Sequence, residues 1–305
     1  MRFNIIQVYT LLKAAVRELL ANNPLRLAGA TAFFTGFALP PILMIIVRTF
    51  GLVFDKRLIG RALLDKLGGI IGEEGRKQVL FVIRSVVGFG FNWVGTVLIF
   101  LFLLFVATTL FKVVRDSINQ LWNIRVERRR NLGSLLKTRM RALGIIMLTG
   151  VLFLLTIGMD MVLAYFSPYL QEVSPPLAGY VHSVLNHILS LVITVAWFLI
   201  LFRFLPDART SWGVTLVGAV VTGLLFSVGK YVLRWLLSGN IQEVYGASGA
   251  LVLILLFVFY ISLILYFGAA FTKAWALHRG KPVEPLAHAV KYHISVDKVG
   301  EGDTA

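Results

Sequence analysis

Apolar residues run almost unbroken over roughly 27–53, 93–111, 142–166, 184–204, 212–236 and 246–271, and polar residues gather in the connections between them. At 1.5 Å per residue, about 20 such residues cross a hydrocarbon core of about 30 Å, so each run predicts a transmembrane helix. The pattern predicts an all-α polytopic membrane protein, a bundle of about six transmembrane helices with interfacial amphipathic helices. Aromatic residues at several run ends, Trp93, Tyr165, Phe166, Trp212 and Trp235, fit an interfacial belt. One transmembrane domain is expected over 24–276, after an N-terminal segment 1–23 and before a tail 277–305.

Two connections carry helical periodicity of another kind. Ile5, Val8, Leu12, Ala15, Val16 and Leu19 recur at helical spacing with Lys13, Arg17 and Glu18 on the other side, which predicts an interfacial helix. Asn22-Asn23-Pro24 ends it, because proline lacks an N–H and restricts the residue before it. The segment lacks the short apolar core and cleavage site of a secretory signal, so the first span is expected to stay in the mature protein. In the long connection 54–90, Leu58, Ile59, Ala62, Leu63, Leu67, Ile70 and Ile71 alternate with Lys56, Arg57, Arg61 and Lys66, as in an amphipathic helix lying on a membrane surface. The apolar stretch 79–87, interrupted by Arg84, is too short to span and reads as interfacial or re-entrant.

Composition agrees with the pattern: 58% of residues are hydrophobic and 15% charged, with a mean hydropathy of +0.82. The net charge of +15 could point to nucleic acid, but the basic residues sit between the apolar runs, where Lys and Arg mark the cytoplasmic side. They crowd the N-terminal segment, the second and fourth loops and the tail, and are absent from the third and fifth loops. Both termini are therefore expected to be cytoplasmic, and the basic first loop is long enough to translocate regardless of its charge. Arg128, Arg129 and Arg130, beside a span, read as a topology signal and a contact for anionic lipid, with no nucleic acid implied.

Candidate chemistry lies in the few polar residues inside spans. Pro40-Pro41, near the middle of the first, predicts a kink or a break, either for packing or lining a substrate path. Asp160 is an acidic residue late in the third span, either functional or at the outer interface. Lys230 and Arg234, four apart, share a face of the fifth; Arg234 is placed to snorkel, and Lys230 to do so, to pair with Asp160 or to meet an anionic headgroup. Gly218, Thr222, Gly223 and Ser227 put small residues on one side of the fifth helix, and Gly246 with Ala250 repeats the spacing, which suits close helix packing. With no cysteine, five scattered histidines and no P-loop, GxSxG or HExxH spacing, neither an enzyme nor a cofactor or metal is expected.

Several segments resemble the YihY/BrkB family of bacterial inner-membrane proteins. Phe202-Arg203-Phe204-Leu205-Pro206-Asp207, then Trp212 and Gly218-Ala219, is similar to its cytoplasmic loop and fifth-span entry. Tyr245-Gly246-Ala247-Ser248-Gly249 and Gly268-Ala269 resemble the ends of its last span. Ala28 to Pro41 is similar to its first helix, and Asp116-Ser117-Ile118-Asn119-Gln120-Leu121-Trp122 to the segment after its second. The likeness covers about 24–276. Ala270 stands where the family often has an acidic residue, so no proton-coupling role carries over there. The resemblance implies six helices in the inner membrane, a name tied to serum resistance and virulence, and an older ribonuclease BN label that no residue here supports. It also implies a connection, for some members, with envelope lipid or lipopolysaccharide export.

Two functions follow as expectations. One is a transporter or flippase-like protein for a lipid or other amphiphilic envelope component, using Pro40, Pro41, Asp160, Lys230 and Arg234. The other is a scaffold that holds envelope-assembly proteins through its basic loop. Membrane lipids, anionic ones first, are the expected partners.

Overall fold

The computed structural model describes residues 5–50, 93–127, 140–141, 143–156, 158–159, 175–236 and 249–292, with 64, 80, 133 and 162 as single positions. Its helices are α1 (Ile5–Ala21), α2 (Pro24–Phe50), α3 (Trp93–Leu121), α4 (Leu143–Thr156), α5 (Pro175–Phe204), α6 (Trp212–Leu236) and α7 (Gly249–His278). Four short strands accompany them: β1 (Ile124–Val126), β2 (Ala208–Arg209), β3 (Glu284–Pro285) and β4 (Ala289–Lys291). The all-α membrane fold read from the sequence is the one observed. Val184–Phe204, Trp212–Val232 and Ile254–His278 are long and apolar enough to cross a bilayer, with hydropathies of 2.3, 1.8 and 2.4. α2 and α3, at 27 and 29 residues, are each about 40 Å long.

Of the kink or break expected at Pro40 and Pro41, the break is excluded, because one helix runs through both. Proline's fixed φ of about −65° is itself helical, so the local cost is the lost hydrogen bonds and the ring's crowding of the carbonyl one turn back. Their side chains lie outside the described ones. So do the connection 54–90 apart from two single positions, Arg128 to Arg130, Asp160 and Gly246.

α7 is the hub. It packs against α2, α6, α1 and α3, whereas α5 packs chiefly on α6. In the most apolar stretch of α7, 56% of residues are buried, against 11% in α5, so α7 is the axis and α5 faces outward. α6 sorts its two faces by size. Leu216, Val220, Leu224, Val228 and Val232, each four residues on, form an exposed apolar stripe that suits lipid and not water. The opposite face carries Gly218 and Thr222, which interlock with Gly268 and Thr272 of α7. Thr272 sits where a Cβ on Gly218 would be, and Thr222 where a Cβ on Gly268 would be. Each hydroxyl donates to a carbonyl one turn back in its own helix, Thr222 to Gly218 at 2.6 Å and Thr272 to Gly268 at 2.7 Å. The backbones thus approach closely with no buried hydroxyl left unpaired. Gly223 likewise meets Val195 of α5, 2.7 Å from where its Cβ would lie.

α1 is amphipathic as read, yet it also buries Leu11 and Ala15 and packs along α7. α7 ends at Gly280, whose φ of 63° suits glycine. There Lys281 N–H bonds the Ala276 carbonyl at 3.0 Å and Gly280 N–H bonds that of Leu277 at 3.1 Å, closing the helix and turning the chain back. The start of the tail then folds onto the bundle: β3 pairs antiparallel with β2, and β4 with β1, Arg125 opposite Val290.

Candidate functional site

The turn between α5 and α6 places Asp207 inside the protein, 2% exposed, at the end of the bundle where β1 and β4 pair. An ionised carboxylate has about four lone-pair positions, and three of them take hydrogen bonds here. Oδ1 accepts from the Arg141 guanidinium at 3.0 Å and from His288 Nε2 at 3.0 Å. Oδ2 accepts from Asn119 Nδ2 at 2.9 Å and lies 3.4 Å from Arg115 Nε. Asn119 Oδ1 takes the Asp207 backbone N–H at 2.9 Å, and Leu286 N–H donates to the Asp207 carbonyl at 3.0 Å. One residue thereby ties α3, Arg141, the α5–α6 turn and the tail together.

Burial on its own would raise the Asp207 carboxyl. The His288 hydrogen bond, the Arg115 charge, the Asn119 amide and the Arg141 charge outweigh it and hold the group below the usual carboxylate range. Asp116, on the same helix as Arg115, is exposed. Arg115 lies between them, its Nε 3.3 Å from Asp116 Oδ1. With three hydrogen bonds and the Arg115 charge on a buried carboxylate, the cluster cross-links the elements that supply them.

A second polar knot adjoins it. Lys273 Nζ donates to Glu18 Oε1 at 2.7 Å, to the Leu121 carbonyl at 2.8 Å and to Asn123 Oδ1 at 3.2 Å, joining α1, α7 and the end of α3. Close by, the fully buried Trp122 donates Nε1–H to the Ala269 carbonyl at 2.9 Å. Ala270 is itself fully buried in α7. Among the described residues no buried side-chain nitrogen or oxygen lacks a partner, and no cluster of acids and histidines could hold a metal.

Lys230 lies at the other end of α6. It lines a cavity of about 340 Å³ with Thr156 of α4, Asn186, His187 and Ser190 of α5, and Tyr231. His187 Nε2 and the Tyr231 hydroxyl are 3.1 Å apart, and the Lys230 ammonium is 5.4 Å from the centre of the Phe226 ring. Among the described residues no carboxylate pairs with Lys230; Asp160, named for that role, lies outside them. Arg234 is on α6, one turn further, with its side chain outside the described ones, as is that of Ala250 on α7. Ser227 is half-buried on α6. The cleft offers a cation with amide and hydroxyl groups beside an apolar exterior.

Sequence reasoning singled out Lys230 but not Asp207, Asn119, Arg115, Arg141, His288 or Lys273 as site residues. Asp207 and Asn119 do belong to segments that carry the family resemblance, which the fold brings to one point. A family model described as virulence factor BrkB matches residues 15–292. UPF0761 membrane proteins of Pseudomonas aeruginosa strains LESB58, UCBPP-PA14 and PAO1 are each 28% identical over 180 residues, 58% of this chain and 41% of theirs. The chain thus aligns with less than half the length of these curated relatives. No solved structure matches. With segments from the first helix to the tail converging on the Asp207 and Lys273 knots, and the match running through all of them, the chain belongs to the virulence factor BrkB family of membrane proteins.

Proposed function

We propose that the protein is a bacterial inner-membrane transporter, flippase-like in action, for a lipid or another amphiphilic envelope component. The observation that carries this reading is the Lys230 cleft, where a cation and several hydrogen-bonding groups sit beside the apolar outer faces of α5 and α6. An anionic headgroup would be held at Lys230 while its chains stay against Val192, Leu224 and Val228, which are exposed. Asp160, four residues after the cleft-lining Thr156 in sequence, is the second polar group this reading assigns to the path, and Arg234 the third. No catalytic step, cofactor or metal is part of it.

The test is movement of a fluorescent phospholipid between leaflets of proteoliposomes, followed by reductive quenching from outside. Wild-type protein is expected to transfer label faster than empty liposomes. Lys230→Ala should slow transfer about tenfold, the loss of one charge-assisted contact, and Asp160→Asn should slow it too. No movement above empty liposomes across phosphatidylglycerol, phosphatidylethanolamine and phosphatidylcholine ends the reading.

The proposal includes an arrangement in which both termini and the Asp207 end are cytoplasmic and the Lys230 cleft faces outward. The natural absence of cysteine allows single reporters. A cysteine introduced at Ala305 should react with an impermeant maleimide only after cells are lysed, and labelling of intact spheroplasts would reverse the orientation.

A further inference from the structure

A second cleft, of about 450 Å³, opens at the Asp207 end of the bundle between the first turn of α6 and the last of α7. Its walls include Ser211, Trp212, Val217, Trp275, Arg279 and Lys281. Arg279 stacks on Trp275, 5.0 Å from the ring centre, and the Arg203 guanidinium stands 4.8 Å over Trp212 from the α5 side. Among the described residues lining it the charged ones are Arg279 and Lys281, with no aspartate or glutamate. Trp212 opens the membrane-crossing stretch of α6 and Trp275 lies in the last turn of that in α7, which sets the cleft at headgroup depth. Its volume is within the roughly 300–1,000 Å³ common for small-ligand sites.

We propose that this cleft binds the phosphate-bearing headgroup of an anionic phospholipid from the leaflet at the Asp207 end, with Arg279 and Lys281 as the charge partners. Trp212 and Trp275 frame the glycerol region, and Val217 meets the first carbons of a chain. Because Lys281 follows the α7 cap and precedes β3, occupancy also braces the returning tail against α6. The site is separate from the Lys230 cleft and does not depend on transport.

Full-length protein in detergent, offered an equal mixture of phosphatidylglycerol and phosphatidylcholine with the same chains, is read by native mass spectrometry. Wild type should retain one phosphatidylglycerol with a preference of about tenfold or more over phosphatidylcholine. Arg279→Gln combined with Lys281→Gln should abolish that one retained lipid, whereas the charge-keeping exchange Arg279→Lys with Lys281→Arg should restore it. Lys13→Gln with Arg17→Gln, on the exposed side of α1, should leave the count unchanged and control for general surface charge. Equal retention by the double glutamine variant, or failure of the charge-keeping double variant to retain the lipid, overturns the proposal. Displacement of the lipid by micromolar inorganic phosphate also overturns it, by assigning the cleft to free phosphate.

Discussion

Asp207→Ala is expected to destabilise the protein by about 3–5 kcal/mol, the usual cost of removing one partner from a buried charge cluster. The loss goes beyond one contact. The Arg141, Asn119 and His288 donors would lose this acceptor, Arg115 would lose one of its two carboxylate neighbours and keep Asp116, and Asn119 Oδ1 holds the backbone of the same turn. Asp207→Asn preserves shape but not charge and should cost less, about 1.5–3 kcal/mol. The cluster also makes stability acid-sensitive in a fixed direction. The folded carboxyl lies below its ordinary value of 3.8, so its contribution is present in full above that pH and is lost as pH falls through the folded value. Thermal melts in detergent from pH 7 down to 3, with wild type compared against Asp207→Asn, isolate this contribution. The stability difference between the proteins should shrink at the acid end. A constant difference across the range would remove the charge from the explanation.

The membrane fold was legible because hydrocarbon imposes its demand on composition along the chain: a run such as 184–204 needs no partner to be recognised. The small-residue face of α6 was legible for a related reason, since glycine and threonine at four-residue spacing have few uses in a span besides close packing. Their partners were not. Gly268 and Thr272 belong to a different helix, and nothing in the local pattern of α7 says which face meets Gly218. The Asp207 cluster was hidden more completely. Pro206-Asp207 reads locally as turn chemistry, Asn119 as one more polar residue near a helix end, and His288 as part of a tail with no predicted structure. Their charges and amides acquire meaning only when residues 88 and 81 positions apart are brought within hydrogen-bond distance. The tail strands escaped for the same reason, because two- and three-residue strands carry too little alternation to show a period. Lys230 was visible because a cation in an apolar run stands out with no knowledge of its neighbours, but the cleft around it depends on α4 and α5.

The largest packing effect is expected at the α6–α7 contact. Gly218→Val should destabilise by about 3 kcal/mol, at the upper end of overpacking costs, since the added atoms fall where Thr272 already lies. Gly218→Ala tests the sign more sharply. In an exposed helix that change gains about 1 kcal/mol from backbone entropy, so a net loss here has to come from the contact. Thr272 cannot easily swing aside: it is fully buried, and its hydroxyl is committed to the Gly268 carbonyl at 2.7 Å. The interlock is reciprocal, so Gly268→Ala should behave alike through Thr222, which is also fully buried. Removing the obstructing hydroxyl and methyl by Thr272→Ala in the Gly218→Ala background should recover more than half of the loss, although Thr272→Ala alone destabilises by opening space. Thermal unfolding of the four proteins in one detergent gives the coupling directly. If Gly218→Ala melts with or above wild type, Thr272 has found another rotamer and the helices are not held by this contact. If the double variant recovers nothing, the loss arises in α6 alone and the interlock is not its cause.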